Sequence, residues 1–165
     1  MYKKFKWAIL LSCVTFIISC SSNKNLSSTV FFEETVICTG ITDRGDYILD
    51  VCVMDNNTLN IEQKATKAAL QKILFDGIIG KADTRAPKIE PLCHGAYYDF
   101  KDFFDTFFTS DGEFSNYAEL IPNIPPVTTK ISGGYKVLYK IIVKKDKLRS
   151  CLEKQGIIKS LSNVS

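Results

Sequence analysis

The chain has 165 residues and an ordinary globular composition, 45% hydrophobic, 24% charged and 12% aromatic, which excludes a wholly disordered chain and a polytopic membrane protein. Its formal charge is +3, but Lys3, Lys4 and Lys6 precede an apolar run and no acid stands before residue 20. Setting those three aside leaves 18 basic residues against 18 acidic ones, so no global charge draws the chain to nucleic acid.

The three lysines, the uncharged run Trp7–Ile18 and the small Ser19 before Cys20 follow the order of a secretory signal, expected over residues 1–19. The run is too short for a spanning helix, which needs about 20 apolar residues. Ile17-Ile18-Ser19-Cys20 also resembles the lipobox of bacterial lipoproteins. That resemblance implies cleavage before Cys20, a diacylglyceryl thioether on its sulfur and acylation, palmitate included, of the new amino terminus. Several acyl chains hold a protein on a bilayer where one holds it only marginally, at ~0.8 kcal/mol per buried methylene. In the same family an aspartate after the cysteine favours inner-membrane retention; Ser21 stands here, so the expected address is the outer membrane, with the body in the periplasm.

Residues 20–29 are expected to be the lipidated cysteine and a flexible polar tether, and residues 30–165 a single α+β domain. "TVICTGIT" and "YILDVCVM" are rich in β-branched and aromatic residues, and "DRGD" between them suits a turn, so a β-hairpin is predicted. "NIEQKATKAALQKILFDG" reads as a helix with Asn60 as N-cap and Gly77 as its stop. "GKADTRAPKIEPLCHG" reads as an ordered loop.

"DFKDFFDTFFTSDG" follows, with Asp99 as the expected cap. It puts Phe100, Phe103, Phe104, Phe107 and Phe108 on one helical face, suited to a core or to docking a partner or the bilayer. "VTTKISGGYKVLYKIIVKK" predicts a second hairpin around Gly133 and Gly134, and "DKLRSCLEKQG" a short helix capped by Asp146. The last residues, from Ile157, suit an edge strand or a frayed end. The expected fold is therefore α+β, an antiparallel sheet of two hairpins with helices on one face, in the order ββα-αββα.

Outside Cys13 and Cys20, four cysteines remain. An even number in an oxidising compartment suggests disulfides. Cys38 and Cys52 straddle the first turn nearly symmetrically, so Cys38–Cys52 is the expected bridge, with Cys93–Cys151 by elimination; buried free thiols are the alternative. Residues 89–129 carry seven acids against Lys101, while residues 130–165 carry nine bases against Asp146 and Glu153. The basic end can pair within the fold or face anionic lipid or an acidic partner.

Catalytic patterns are sparse. The single histidine, His94, adjoins Cys93, but neighbours on an extended chain point opposite ways. No second pair at ligand spacing suggests a metal, and no cofactor motif occurs. Asp102 and Asp105 fit the solvated side of the phenylalanine helix. The tripeptide Arg44-Gly45-Asp46 matches an integrin-binding sequence, though its glycine is already accounted for by the turn.

Across "KAALQKILFDGI", "DFFDTFF" and "GYKVLYKIIVKKDKLRSCLEKQGII" the chain also resembles small uncharacterised lipoproteins of the Bacteroidetes type and accessory proteins of envelope machines. This implies an accessory subunit of an envelope complex, such as a secretion apparatus, and assigns no functional residue. The expectation is thus a non-enzymatic outer-membrane lipoprotein with a protein partner. A periplasmic carrier of a small apolar ligand is the alternative, with a hydrolase third.

Overall fold

The computed structural model describes residues 34–80 and 86–160. Cys20, the leader and the tether lie outside them, as do residues 161–165. The described chain is α+β, with three α-helices and a five-stranded antiparallel sheet. Strands β1 (Thr35–Ile41) and β2 (Tyr47–Asp55) are followed by helix α1 (Ile61–Gln71) and helix α2 (Lys101–Phe107). Then come β3 (Ala118–Leu120), β4 (Val127–Ile131), β5 (Gly134–Val143) and helix α3 (Lys145–Lys154). The expected ββα-αββα order lacks β3, which stands between the second helix and the last two strands.

β5 is the middle of the sheet. Its apolar alternation sends Val137, Tyr139, Ile141 and Val143 into the core. Along its whole length it pairs with β2, from Tyr47 opposite Val143 to Asp55 opposite Tyr135. Its other edge is shared: β4 pairs with residues 134–138 and β3 with residues 141–143. The two short strands therefore form one edge strand interrupted at residues 121–126, "IPNIPP". Three prolines in that interruption cannot donate to a ladder, so pairing lapses there and resumes at Val127.

On the far side β2 pairs with β1, where an irregularity between Cys38 and Gly40 leaves Thr39 as an extra residue. The outer edge of β1 is partly covered, because Cys38 bridges to Gly80 and Ile78 pairs with Ile89. Those bridges pin the segment read as an ordered loop.

All three helices contribute to one apolar core on one sheet face. It joins Leu49, Val51 and Val53 of β2 to Ile61, Ala65, Ala68 and Ala69 of α1, Phe104 and Phe107 of α2, and Leu148 and Leu152 of α3. The alanines let α1 lie close to the strands. A π-helical turn, Lys72–Asp76, then adds buried Ile73 and Leu74 before Gly77 ends the helix at φ 76. A side chain at Gly77 would come within 2.6 Å of the Ile89 carbonyl oxygen.

The expected caps are not made. Asn60 occupies the N-cap position with φ 61 and no side-chain bond to the helix. Instead Asn57 Oδ1 accepts from Leu59 N at 2.9 Å, one turn earlier. Turns continue through Phe100, so α2 starts at Lys101 and Asp99 lies ahead of it rather than at its cap. Lys144 precedes α3, which places Asp146 inside the first turn, where its charge still faces the positive helix end. The stretch Ile157–Ser160 forms no strand.

The disulfide expectation is overturned as well: all four described cysteines are free. Cys38 opposes Leu49 and faces the core, whereas Cys52 opposes Thr35 three positions along. Because side chains alternate, an odd offset puts the two sulfurs on opposite sheet faces. The other two are also apart in role: Cys93 is buried, its N–H donating to Leu74 O, and Cys151 lies half-buried on α3.

Candidate binding surface

The phenylalanine stripe is core. Phe104 and Phe107 are buried, and Phe100, Phe103 and Phe108 pack against the core with partial exposure. Phe104 meets Phe75 edge-on at 4.9 Å between ring centres, and Phe107 stacks on Tyr117 at 5.6 Å. Each fully buried ring stabilises the fold by about 1.5–3 kcal/mol, a contribution Phe104 and Phe107 make, while Phe100, Phe103 and Phe108 keep part of their surface in water. On this side of the molecule Phe103 and Phe107 border a groove. That groove, about 300 Å³, also has Thr106, Thr109, Asp111 and Glu113 in its wall.

The second face of the sheet is covered by none of the described helices. The register builds it in rows across the strands. One row runs Thr35, Cys52, Leu138, Val127, and the next runs Ile37, Asp50, Lys140. On either side stand Ile48 with Ile142 and Glu119, and Met54 with Lys136 and Thr129. Ile37, Ile48, Cys52, Met54, Leu138 and Ile142 are half-buried and none of them belongs to the core or packs on it. Val127 is 62% exposed.

At the centre, Lys140 Nζ lies 2.6 Å from Asp50 Oδ1. Opposite charges directly across a ladder attract, and here they divide the apolar side chains of this face into two strips. A second ion pair, Lys144 with Glu119, borders the strip that contains Ile142. The arrangement is wettable yet offers apolar side chains in fixed positions, the chemistry of a protein-binding surface with a polar marker for register. Sequence reading missed it, although the alternating Ile48, Cys52 and Met54 of β2, apolar where a solvated face would be polar, carried the signal.

Compared with protein-family models, with curated proteins and with solved structures, the chain matches none.

Polar clusters elsewhere offer little catalysis. Lys64 Nζ donates to Met54 O at 2.9 Å and to Asp55 Oδ2 at 3.2 Å, and stands 3.9 Å from Glu34 Oε1, beside a groove of about 400 Å³. Burial raises the Glu34 carboxyl above its usual range, against the pull of Lys64 and Lys72. For Asp55 the modest burial acts upward, but hydrogen bonds from Asn57 N and Lys64 together hold it low. The lysine neutralises both acids and fastens the chain's entry into β1 to α1, a structural role.

Burial pushes the Cys93 thiol up to about 11, so it stays protonated, and His94 beside it is exposed. Cys151 borders a second groove with Tyr117, Glu113 and Lys147. There burial first, then hydrogen bonds with Cys151 and Glu113, raise the Tyr117 phenol. No imidazole lines that groove to take a thiol proton. Among the described residues no group of three metal-ligating side chains comes together, and no described helix is long and apolar enough to cross a membrane.

Proposed function

We propose that this protein is a non-enzymatic binding subunit of a cell-envelope complex, fastened to the outer membrane through acyl chains on Cys20. The anchor rests on the lipobox Ile17-Ile18-Ser19-Cys20. The binding role rests on one observation: among the described residues every α-helix packs on one face of the sheet, while the other presents apolar rows about the Asp50–Lys140 pair. An envelope protein with a flat apolar strip and an acid or base to meet that pair is the partner the surface fits. A secretion apparatus is one assembly of that kind. The apolar-ligand carrier has less support, since the phenylalanines fill their own space.

The test is site-specific photo-crosslinking in intact envelopes, with the probe at Leu138 or Ile48 on the open face and at Lys101 on α2 as control. A defined envelope protein crosslinked from the open face alone supports the reading. Equal yields from both sides refute it. Intact-mass analysis of the native protein examines the anchor separately, where an unmodified Cys20 sulfur would remove it.

A further inference from the structure

The register also fixes which end of the sheet lies nearest the point where the chain enters it. The described residues begin at Glu34, and Thr35 shares a row with Cys52, Leu138 and Val127. Beyond that row, at the same end, lie the end of β2 at Asp55, the exposed loop Asn56–Asn60 and the turn between β4 and β5. The two features touch: a side chain on Gly134 would overlap the Asp55 carbonyl oxygen and approach Asn56 Cα within 2.9 Å. The Asp43–Asp46 turn and the start of α3 lie at the opposite end.

At the entry end Lys64 answers Glu34 and Asp55, Glu62 stands in the first turn of α1, and the β4–β5 turn carries bases of its own. From Leu120 to Lys145 the chain has five lysines and no acid. Lys140 and Lys144 are neutralised by Asp50 and Glu119. Lys130 and Lys136, which flank the β4–β5 turn, are exposed and form no ion pair with a described residue. Val127, 62% exposed, is on β4 three residues before Lys130, and Leu59, 78% exposed, is in the Asn56–Asn60 loop at the same end. Thirteen residues separate Cys20 from Glu34, a span of at most about 50 Å when fully extended.

We infer that the β4–β5 turn, with Lys130, Lys136, Val127 and Leu59, is a bilayer-contacting surface that takes anionic phospholipid headgroups and sets the domain upright on the membrane. This deepens the proposed function and relies on its anchor for effect. Two lysines alone hold a free protein weakly on such a surface, but a lipid tether makes the contact intramolecular, where modest attraction governs orientation. With this end down, the strands stand off the bilayer and the open sheet face is turned sideways toward a partner.

The experiment reconstitutes the native full-length product into vesicles of neutral phosphatidylcholine, with or without anionic phosphatidylglycerol. An environment-sensitive fluorescent amino acid is placed at Ser132 on the turn or at Arg44 on the far end. Brominated lipid is expected to quench Ser132 and not Arg44, only with anionic lipid and less as salt rises. Lys130→Glu with Lys136→Glu abolishes the quenching.

Equal quenching at both positions, or none, on protein whose Cys20 is shown by mass to be acylated overturns the inference while leaving the anchor intact. A crosslink from Ser132 to protein in place of lipid overturns it too. The core runs from Cys38 to Leu152, so a chain starting at Ser21 keeps all of it. For that chain, affinity for anionic vesicles should fall about 5-fold per lysine removed. That result supports the surface even if Cys20 proves unmodified, and charge-independent binding counts against it.

Discussion

Cys38 and Cys52 occupy the same hairpin but opposite faces of it, the first against Leu49 in the core and the second across from Thr35 in the open. Their chemistry should therefore diverge. An alkylating reagent on the native protein is expected to modify Cys52 within minutes and to leave Cys38 and Cys93 untouched until denaturant is added. Burial also raises both of the latter thiols, Cys93 to about 11, which holds them further from the reactive thiolate. Peptide mass mapping reads the order, and the melting temperature should be the same with and without reductant. A Cys38–Cys52 disulfide peptide from native protein would contradict the register.

Phe104 is fully buried between Phe75, Tyr97 and Phe103, whereas Tyr98 is 85% exposed. Replacing Phe104 with alanine should cost about 3–5 kcal/mol in urea unfolding, the usual range for an aromatic deleted from a core. Tyr98→Ala should stay within about 0.5 kcal/mol. Similar losses at both sites would mean that the stripe is not what closes the core.

The Lys64 cluster yields a pair of opposite effects. Asp55 has a depressed folded pKa, so its contribution is present above the unfolded carboxyl pKa and fades as pH falls through the folded value. Glu34 is raised, so it favours the folded state only at low pH and opposes it once pH passes the folded value. At pH 7, Asp55→Asn should lower the melting temperature and Glu34→Gln should leave it unchanged or raise it. At pH 3 the penalty of Asp55→Asn should shrink. Melting curves at the two pH values decide, and a large loss from Glu34→Gln at pH 7 would show the sign to be wrong.

Gly134 starts β5 against the backbone of Asp55 and Asn56, with no room for a Cβ. Gly45, at φ 86 in the first turn, has open space around it. Gly134→Ala should thus destabilise by more than the 1–3 kcal/mol of ordinary overpacking, because backbone and not a movable side chain must yield. Gly45→Ala meets only the strain of positive φ, about 1 kcal/mol. Chemical denaturation of the two variants reverses this ranking only if the β2 end and the β4–β5 turn are not in contact.

Alternation made β5 legible, since Tyr135 to Val143 repeats with period two and no breaker interrupts it. The α+β class and the antiparallel sheet follow from that strand, from the first two, and from the spacing of Ile61, Ala65, Ala68 and Ala69. β3 was hidden because Ala118–Leu120 is too short to show a period, and the prolines after it look like a turn although the edge resumes at Val127. The phenylalanine face was visible, but α2 covers only seven residues, so Phe100 and Phe108 reach the core from its caps. Register failed the disulfide reading: the extra Thr39 moves the axis of the hairpin toward Asp43, and one position decides the face. The open surface escaped notice because its residues are apolar, and apolar residues on strands are read as core until the described helices are seen to pack on the other face.

The pairing of β2 with β5 joins residues that are nearly a hundred positions apart, Tyr47 with Val143. No local turn can nucleate that ladder, so the middle of the sheet waits until the last third of the polypeptide is available, a high-contact-order topology that folds slowly.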